Sequence, residues 1–113
     1  MEQFKDEDRL LVADIGGTNA RFAFADKSVG ADSLTPPFVL ETISFETFAD
    51  ALREVMDETG RPVIRAAAIC GAGPVMIGQA GAQIQMTNCP WLLSEADMAK
   101  MLGTEKVALV NDF

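Results

Sequence analysis

At 113 residues the chain has room for one domain with a core of its own. Apolar residues make up 49% and charged residues 23%, a globular balance, while a net charge of −8 argues against nucleic acid, whose phosphates demand Lys and Arg. Histidine is absent, which removes imidazole bases and His metal sites from this chain. Cys70 and Cys89 are too far apart for a C-x-x-C arrangement and read as reduced thiols.

Met1 to Arg9 is charged and aperiodic, a frayed leader with none of the marks of a signal peptide. No apolar run later in the chain approaches a membrane span, so the expectation is a soluble, cytoplasmic protein without a membrane partner. Leu10–Ala13 is an apolar run dense enough for a strand buried on both faces, and Ala20–Ala25 alternates small and large residues as a second strand. Gly16-Gly17 lies between them and would let the chain turn back with φ above zero. Asp14 ends the first strand, where a carboxylate is costly unless compensated. Two glycines leave backbone N–H groups uncovered and Thr18 adds a hydroxyl. Such a bend can cradle phosphate oxygens while the carboxylate holds Mg²⁺, directly or through water. On these residues alone, an ordinary Gly-Gly hairpin with an acidic shoulder is an equal alternative. Neither G-x-G-x-x-G nor G-x-x-x-x-G-K-[ST] occurs, and the bend leads into a strand, so no helix N-terminus can serve the phosphate here.

Asp26–Pro37 has loop composition, and Phe38–Ser44 is β-branched enough for a third strand, completing an antiparallel meander. Within Phe45–Thr59 the period changes: Phe48, Leu52, Val55 and Met56 share one helical face, with Gly60 and Pro62 ending the helix. Val63–Cys70 reads as a fourth strand in the middle of the sheet. The following Gly71-Ala72-Gly73-Pro74 is either a plain turn or a close backbone approach at a cleft mouth. Val75–Ile77 and Gln83–Thr87 suggest a hairpin around Gln79-Ala80-Gly81. Ser94 opens a second helix with Asp97 three residues on; Met98, Met101 and Leu102 should face inward and Gly103 should end it. Lys106–Val110 reads as a last buried strand. The segments Ala66–Ile69 and Val107–Val110 should run parallel to the first strand, because each follows a crossover. Asp112 then lies just past a strand end, where α/β sheets present ligand groups, although an Asn-Asp pair by itself is a common turn former. Such a strand should lead into a helix covering the sheet, so residues 1–113 are expected to be the N-terminal part of a longer protein.

The stretch Asp14-Ile15-Gly16-Gly17-Thr18-Asn19-Ala20-Arg21 resembles the first phosphate motif of bacterial glucokinases, sugar kinases of the actin/hexokinase/Hsp70 ATPase superfamily. Thr87-Asn88-Cys89-Pro90-Trp91 and Asn111-Asp112-Phe113 resemble two further pieces of that family, in the same order. The resemblance implies an α/β fold, the N-terminal domain of an actin-like ATPase (ribonuclease H-like), with a mixed sheet in the order βββαβ…αβ. It also implies ATP-dependent phosphorylation of glucose or a related hexose to glucose 6-phosphate by the full-length protein, with a nucleotide-closing second domain outside this chain, and it allows a homodimer. Ala13, Asp14, Ile15, Gly16, Gly17 and Thr18 would meet ATP, Asp14 through Mg²⁺ and its water. Asn111 and Asp112 would bind the sugar, with Asn88 lining its site, and Asp112 would be the general base. Arg21 fits the family pattern, but its residue type alone suits an ion pair equally well. Trp91 could anchor the core or wall the sugar site, and core anchoring is the better expectation after a proline.

Among rivals, ROK-type sugar and amino-sugar kinases usually carry Glu-Asn-Asp-Ala where this chain has Val110-Asn111-Asp112-Phe113, which favours glucokinase. A sugar-sensing regulator would need a helix-turn-helix ahead of the first strand. The Asn-Asp pair argues against a non-catalytic actin-like protein. Pro74–Met86 is longer than the family's usual connection, and the second phosphate and adenosine motifs would lie past Phe113.

Overall fold

The computed structural model describes residues 9–26, 33–79 and 81–111. Strand β1 (Arg9–Ile15) pairs antiparallel with β2 (Asn19–Asp26), and β2 with β3 (Phe38–Glu41), so the expected meander is present. The third strand stops at Glu41 instead of reaching Ser44. Thr42–Ser44 form one 3₁₀ turn, because Thr42 directs its amide and hydroxyl onto the β1–β2 bend and leaves the ladder.

Helix α1 (Phe48–Glu58) begins where the Thr47 hydroxyl accepts the Asp50 amide at 3.1 Å. It ends at Gly60, whose φ of 82° is one that side chains resist. Phe48, Leu52 and Val55 are buried along the expected stripe, with Met56 packed at its margin. Strand β4 (Ile64–Gly71) then runs parallel to β1. Three short strands follow as a separate antiparallel sheet: β5 (Val75–Gly78), β6 (Gly81–Gln85) and β7 (Leu92–Ser94). The β5–β6 hairpin matches the expectation, although Ala80 in its turn lies outside the described residues. Strand β7 was not anticipated, since three residues are too few for a periodic signal. Its last residue, Ser94, caps helix α2 (Glu95–Leu102) by accepting the Asp97 amide at 3.2 Å. Strand β8 (Val107–Asn111) closes the larger sheet parallel to β4, giving the order β3-β2-β1-β4-β8.

The core lies on one face of that sheet. Leu11, Ala13, Ile15, Phe22 and Ile69 pack there with α1, with Met98 of α2 and with Trp91. Trp91 is 1% exposed; its indole N–H donates to the Phe45 carbonyl at 3.0 Å and its ring meets Phe48 edge-on at 5.9 Å. It anchors the core. The other face departs from expectation. Among the described residues Val12 is 38% exposed and Val110 49%, so the described chain covers β1 on one face and places β8 at the margin of the sheet. The cause is topological. The β3-to-β4 and β4-to-β8 crossovers move across the sheet in the same direction, and right-handed connections then place both helices on one face. Met101 also differs. It sits at the rim of a roughly 370 Å³ hollow between α1 and α2, while Met98 alone of α2 is fully buried.

Candidate active site

The three parallel strands end in one row, with Ile15, Gly71 and Asn111 as register neighbours. At the usual interstrand spacing, Ile15 and Asn111 stand about 10 Å apart across Gly71. Glycine is required in this row, since a Cβ on Gly71 would come within 2.7 Å of the Leu93 side chain and 3.0 Å of the Met86 sulfur. A Cβ on Gly73 would collide with the Gln85 carbonyl. The small residues of Gly71-Ala72-Gly73 thus let the second sheet pack over the strand ends, which decides between the two alternatives left by the sequence: the close approach is to β6 and β7.

The bend between β1 and β2 is closed by the Gly16 amide donating to the Asn19 carbonyl at 2.8 Å, leaving Gly17 and Thr18 at the tip. Neither Gly16 nor Gly17 has a left-handed φ. Their conformational freedom is therefore not what the turn consumes. Space is: a Cβ on Gly17 would lie 2.6 Å from Cβ of Asn88. The second motif is pressed onto the first at that point. On another side stands Thr42, 5% exposed. Its hydroxyl donates to the Gly17 carbonyl at 2.7 Å and its amide to the Thr18 carbonyl at 2.9 Å. Thr18 itself is exposed. Gly17, Thr42, Phe45, Asn88 and Cys89 line a cleft of roughly 440 Å³ beside the bend. The hollow between α1 and α2 is flanked by Arg61 and Pro62, which precede β4, so it belongs to the opposite end of the strands.

Alternation along β1 buries Ala13 and Ile15 on the helix side and turns Asp14 outward on the other. Water thereby supplies the compensation that a carboxylate in an apolar strand needs. Arg21 is its cross-strand neighbour, yet no ion pair joins the two. Among the described residues no group of three Asp, Glu, Cys or His could hold a metal ion. An exposed carboxylate at this position is the donor type that suits a Mg²⁺ keeping most of its water.

Asn111 shares its face with Ile15 and Gly71, opposite to Asp14. Its Oδ1 is buried and has no hydrogen-bond partner among the described residues, the kind of atom that marks a ligand or water position. Asp112 lies outside the described residues. The structure therefore joins Gly17 to Asn88 and aligns Ile15 with Asn111, but sets Asp14 and Asn111 on different faces of the sheet. Thr42 was missed from sequence. It reads as one more β-branched strand residue, and its inversion with Ile43, which is 91% exposed, shows only once the chain is folded.

A mixed sheet of order β3-β2-β1-β4-β8, with a Gly-Gly bend and an asparagine at the ends of β1 and β8, defines an α/β unit of the actin-like ATPase fold. Residues 11–113 match the family model described as Glucokinase. The glucokinase of Stenotrophomonas maltophilia strain K279a is 40% identical over 110 residues, which cover 92% of this chain and 30% of that protein. Among solved structures, a glucokinase from an Antarctic psychrotroph superposes with a TM-score of 0.75 at 30% identity, over 94% of this chain and 33% of its own. A glucokinase from Balamuthia mandrillaris, solved in complex with glucose, gives 0.63 at 24% identity, over 92% of this chain and 29% of its own. The chain belongs to the glucokinase family. It spans about 30% of the length of the curated relatives it matches.

Proposed function

We propose that the full-length protein transfers the γ-phosphoryl group of ATP to a hydroxyl of glucose, releasing ADP and glucose 6-phosphate. The observation that carries this reading is the row of strand ends, where the Gly16-Gly17-Thr18 bend and Asn111, whose Oδ1 has no partner among the described residues, leave the sheet along one edge. Membership of the glucokinase family and the glucose complex of a protein of the same fold support the choice of sugar.

In this reading the exposed bend holds the ATP phosphates through backbone N–H groups and the Thr18 hydroxyl, with Ala13 and Ile15 fixing its base. Asp14 holds Mg²⁺ through water. When bound, the ion neutralises charge on the phosphates. Asn111 and Asn88 orient the sugar, and Asp112 takes the hydroxyl proton as the oxygen attacks phosphorus. The chain supplies one lobe, and a second lobe closes over the nucleotide and excludes water.

The test is kcat for Asp112→Asn and Asp14→Asn in the full-length protein across a Mg²⁺ titration, with glucose affinity from calorimetry. Asp112→Asn should lose about 10² to 10⁴ in kcat, the usual contribution of a general base, and far less in glucose affinity, since the amide still hydrogen-bonds. Asp14→Asn should regain part of its activity in excess Mg²⁺. Near-normal kcat in Asp112→Asn would remove the base, and most of the functional reading with it.

A further inference from the structure

We infer that Thr42 is a positioning residue for the phosphate bend: its hydroxyl fixes the orientation of the Gly17–Thr18 peptide, and so decides whether that peptide offers nucleotide phosphate an N–H or a carbonyl oxygen. The inference rests on the proposed role of the bend and goes beyond it, to a residue outside the motif.

In a trans peptide the C=O and N–H point in opposite directions. The Gly17 carbonyl is drawn toward the buried Thr42 hydroxyl at 2.7 Å, so the Thr18 N–H of the same plane is directed away from Thr42. A hydroxyl has one proton to give. The Thr18 carbonyl, 3.2 Å from the same oxygen, already accepts the Thr42 amide at 2.9 Å, which leaves the hydroxyl proton to Gly17. Gly17 resists rotation of this plane less than any other residue type would, so on that side only the Thr42 bond fixes it, while on the other a half-turn would carry Thr18 toward a positive φ that a β-branched residue resists. Rotated by half a turn, the peptide would direct a carbonyl oxygen where the N–H now points, and an anionic phosphate would be repelled. The Thr42 side chain thus selects the phosphate-binding orientation without touching the phosphate.

Thr42→Val keeps the shape and the backbone amide bond and removes only the hydroxyl; Thr42→Ser restores it. The experiment uses the full-length protein and measures Mg–ADP affinity by calorimetry, KM for ATP and for glucose, and thermal unfolding. Loss of one positioning hydrogen bond should weaken Mg–ADP binding and raise the KM for ATP about tenfold in Thr42→Val. The KM for glucose should stay within about twofold, and Thr42→Ser should return the nucleotide values to those of the wild type. A purely structural role would shift both substrates together with the unfolding temperature, and that result overturns the inference. So does a Thr42→Val protein with wild-type nucleotide affinity while the wild type phosphorylates glucose; this outcome leaves the reading of the bend standing. A wild type that binds no Mg–ADP removes the phosphate reading itself, and the role of Thr42 with it.

Discussion

Gly17→Ala is the substitution that tests how the two motifs meet. The added Cβ would lie 2.6 Å from the Asn88 Cβ and 3.3 Å from its carbonyl oxygen. Carbon atoms in comfortable contact stand roughly 3.5–4.0 Å apart, so about 1 Å must be found by moving one segment. The bend is tied by Gly16 to Asn19 and by Thr42 to Gly17 and Thr18, whereas Asn88 is exposed and follows Thr87, whose amide and hydroxyl both donate to the one Ala72 carbonyl. The Asn88 loop should therefore yield first. Overpacking of this kind costs about 1–3 kcal/mol. Expressed wholly in the ATP-dependent step, that is a loss between about fivefold and about 150-fold in kcat/KM for ATP. Asn88→Gly in the same background deletes the atom that is struck and leaves only the carbonyl contact. The double variant should recover most of the loss, with a coupling of about 1 kcal/mol or more in a double-mutant cycle. The assay is kcat/KM for ATP in the four full-length proteins. Wild-type values for Gly17→Ala, or strictly additive effects in the cycle, would show that Gly17 and Asn88 do not meet as described.

Trp91→Phe keeps an aromatic ring against Phe48 but leaves the Phe45 carbonyl without its donor, and should cost about 1–3 kcal/mol in denaturant unfolding; unchanged stability together with lost glucose affinity would make Trp91 a cleft wall instead. Ser94→Ala removes the acceptor of the Asp97 amide and should cost about 1 kcal/mol, with Ser94→Thr retaining most of it, read from the shift in the unfolding midpoint.

Much of the fold follows from local chemistry that a sequence displays. The stripe of Phe48, Leu52 and Val55 with its Gly60 stop could hardly be anything but a helix. The bend at Gly16-Gly17 and the crossover before Ile64 dictate which strands run antiparallel and which parallel. What escaped was decided by partners distant in the chain. Leu10–Ala13 has the same composition whether helices cover one face or two; among the described residues the common direction of the two crossovers leaves Val12 open. A Gly-Gly pair looks the same whether it serves a positive φ or makes room, and here Asn88 demands the room. The three motifs were legible as pieces, but their contact was not. Nothing near Gly17 announces that Thr42 and Asn88 confine it.

The placement of Asp14 and Asn111 carries one consequence for how such a site must work. Strand alternation sends the carboxylate to the open face and the amide to the helix side, so no ligand lying on either face of the sheet can reach both. A molecule that engages them together must sit past the edge, beyond the row of Ile15, Gly71 and Asn111. That edge is where the Gly17–Thr18 tip projects, and where Gly71 keeps side-chain bulk away beneath Leu93 and Met86. The edge also suits in-line phosphoryl transfer, because acceptor and donor have to approach from different directions. The loose Gly-Gly bend is confined by Asn88 through packing and by Thr42 through hydrogen bonds, each delivered by a different element. If the bend holds phosphate as proposed, its precision comes from the frame around the motif and not from the glycines that define it.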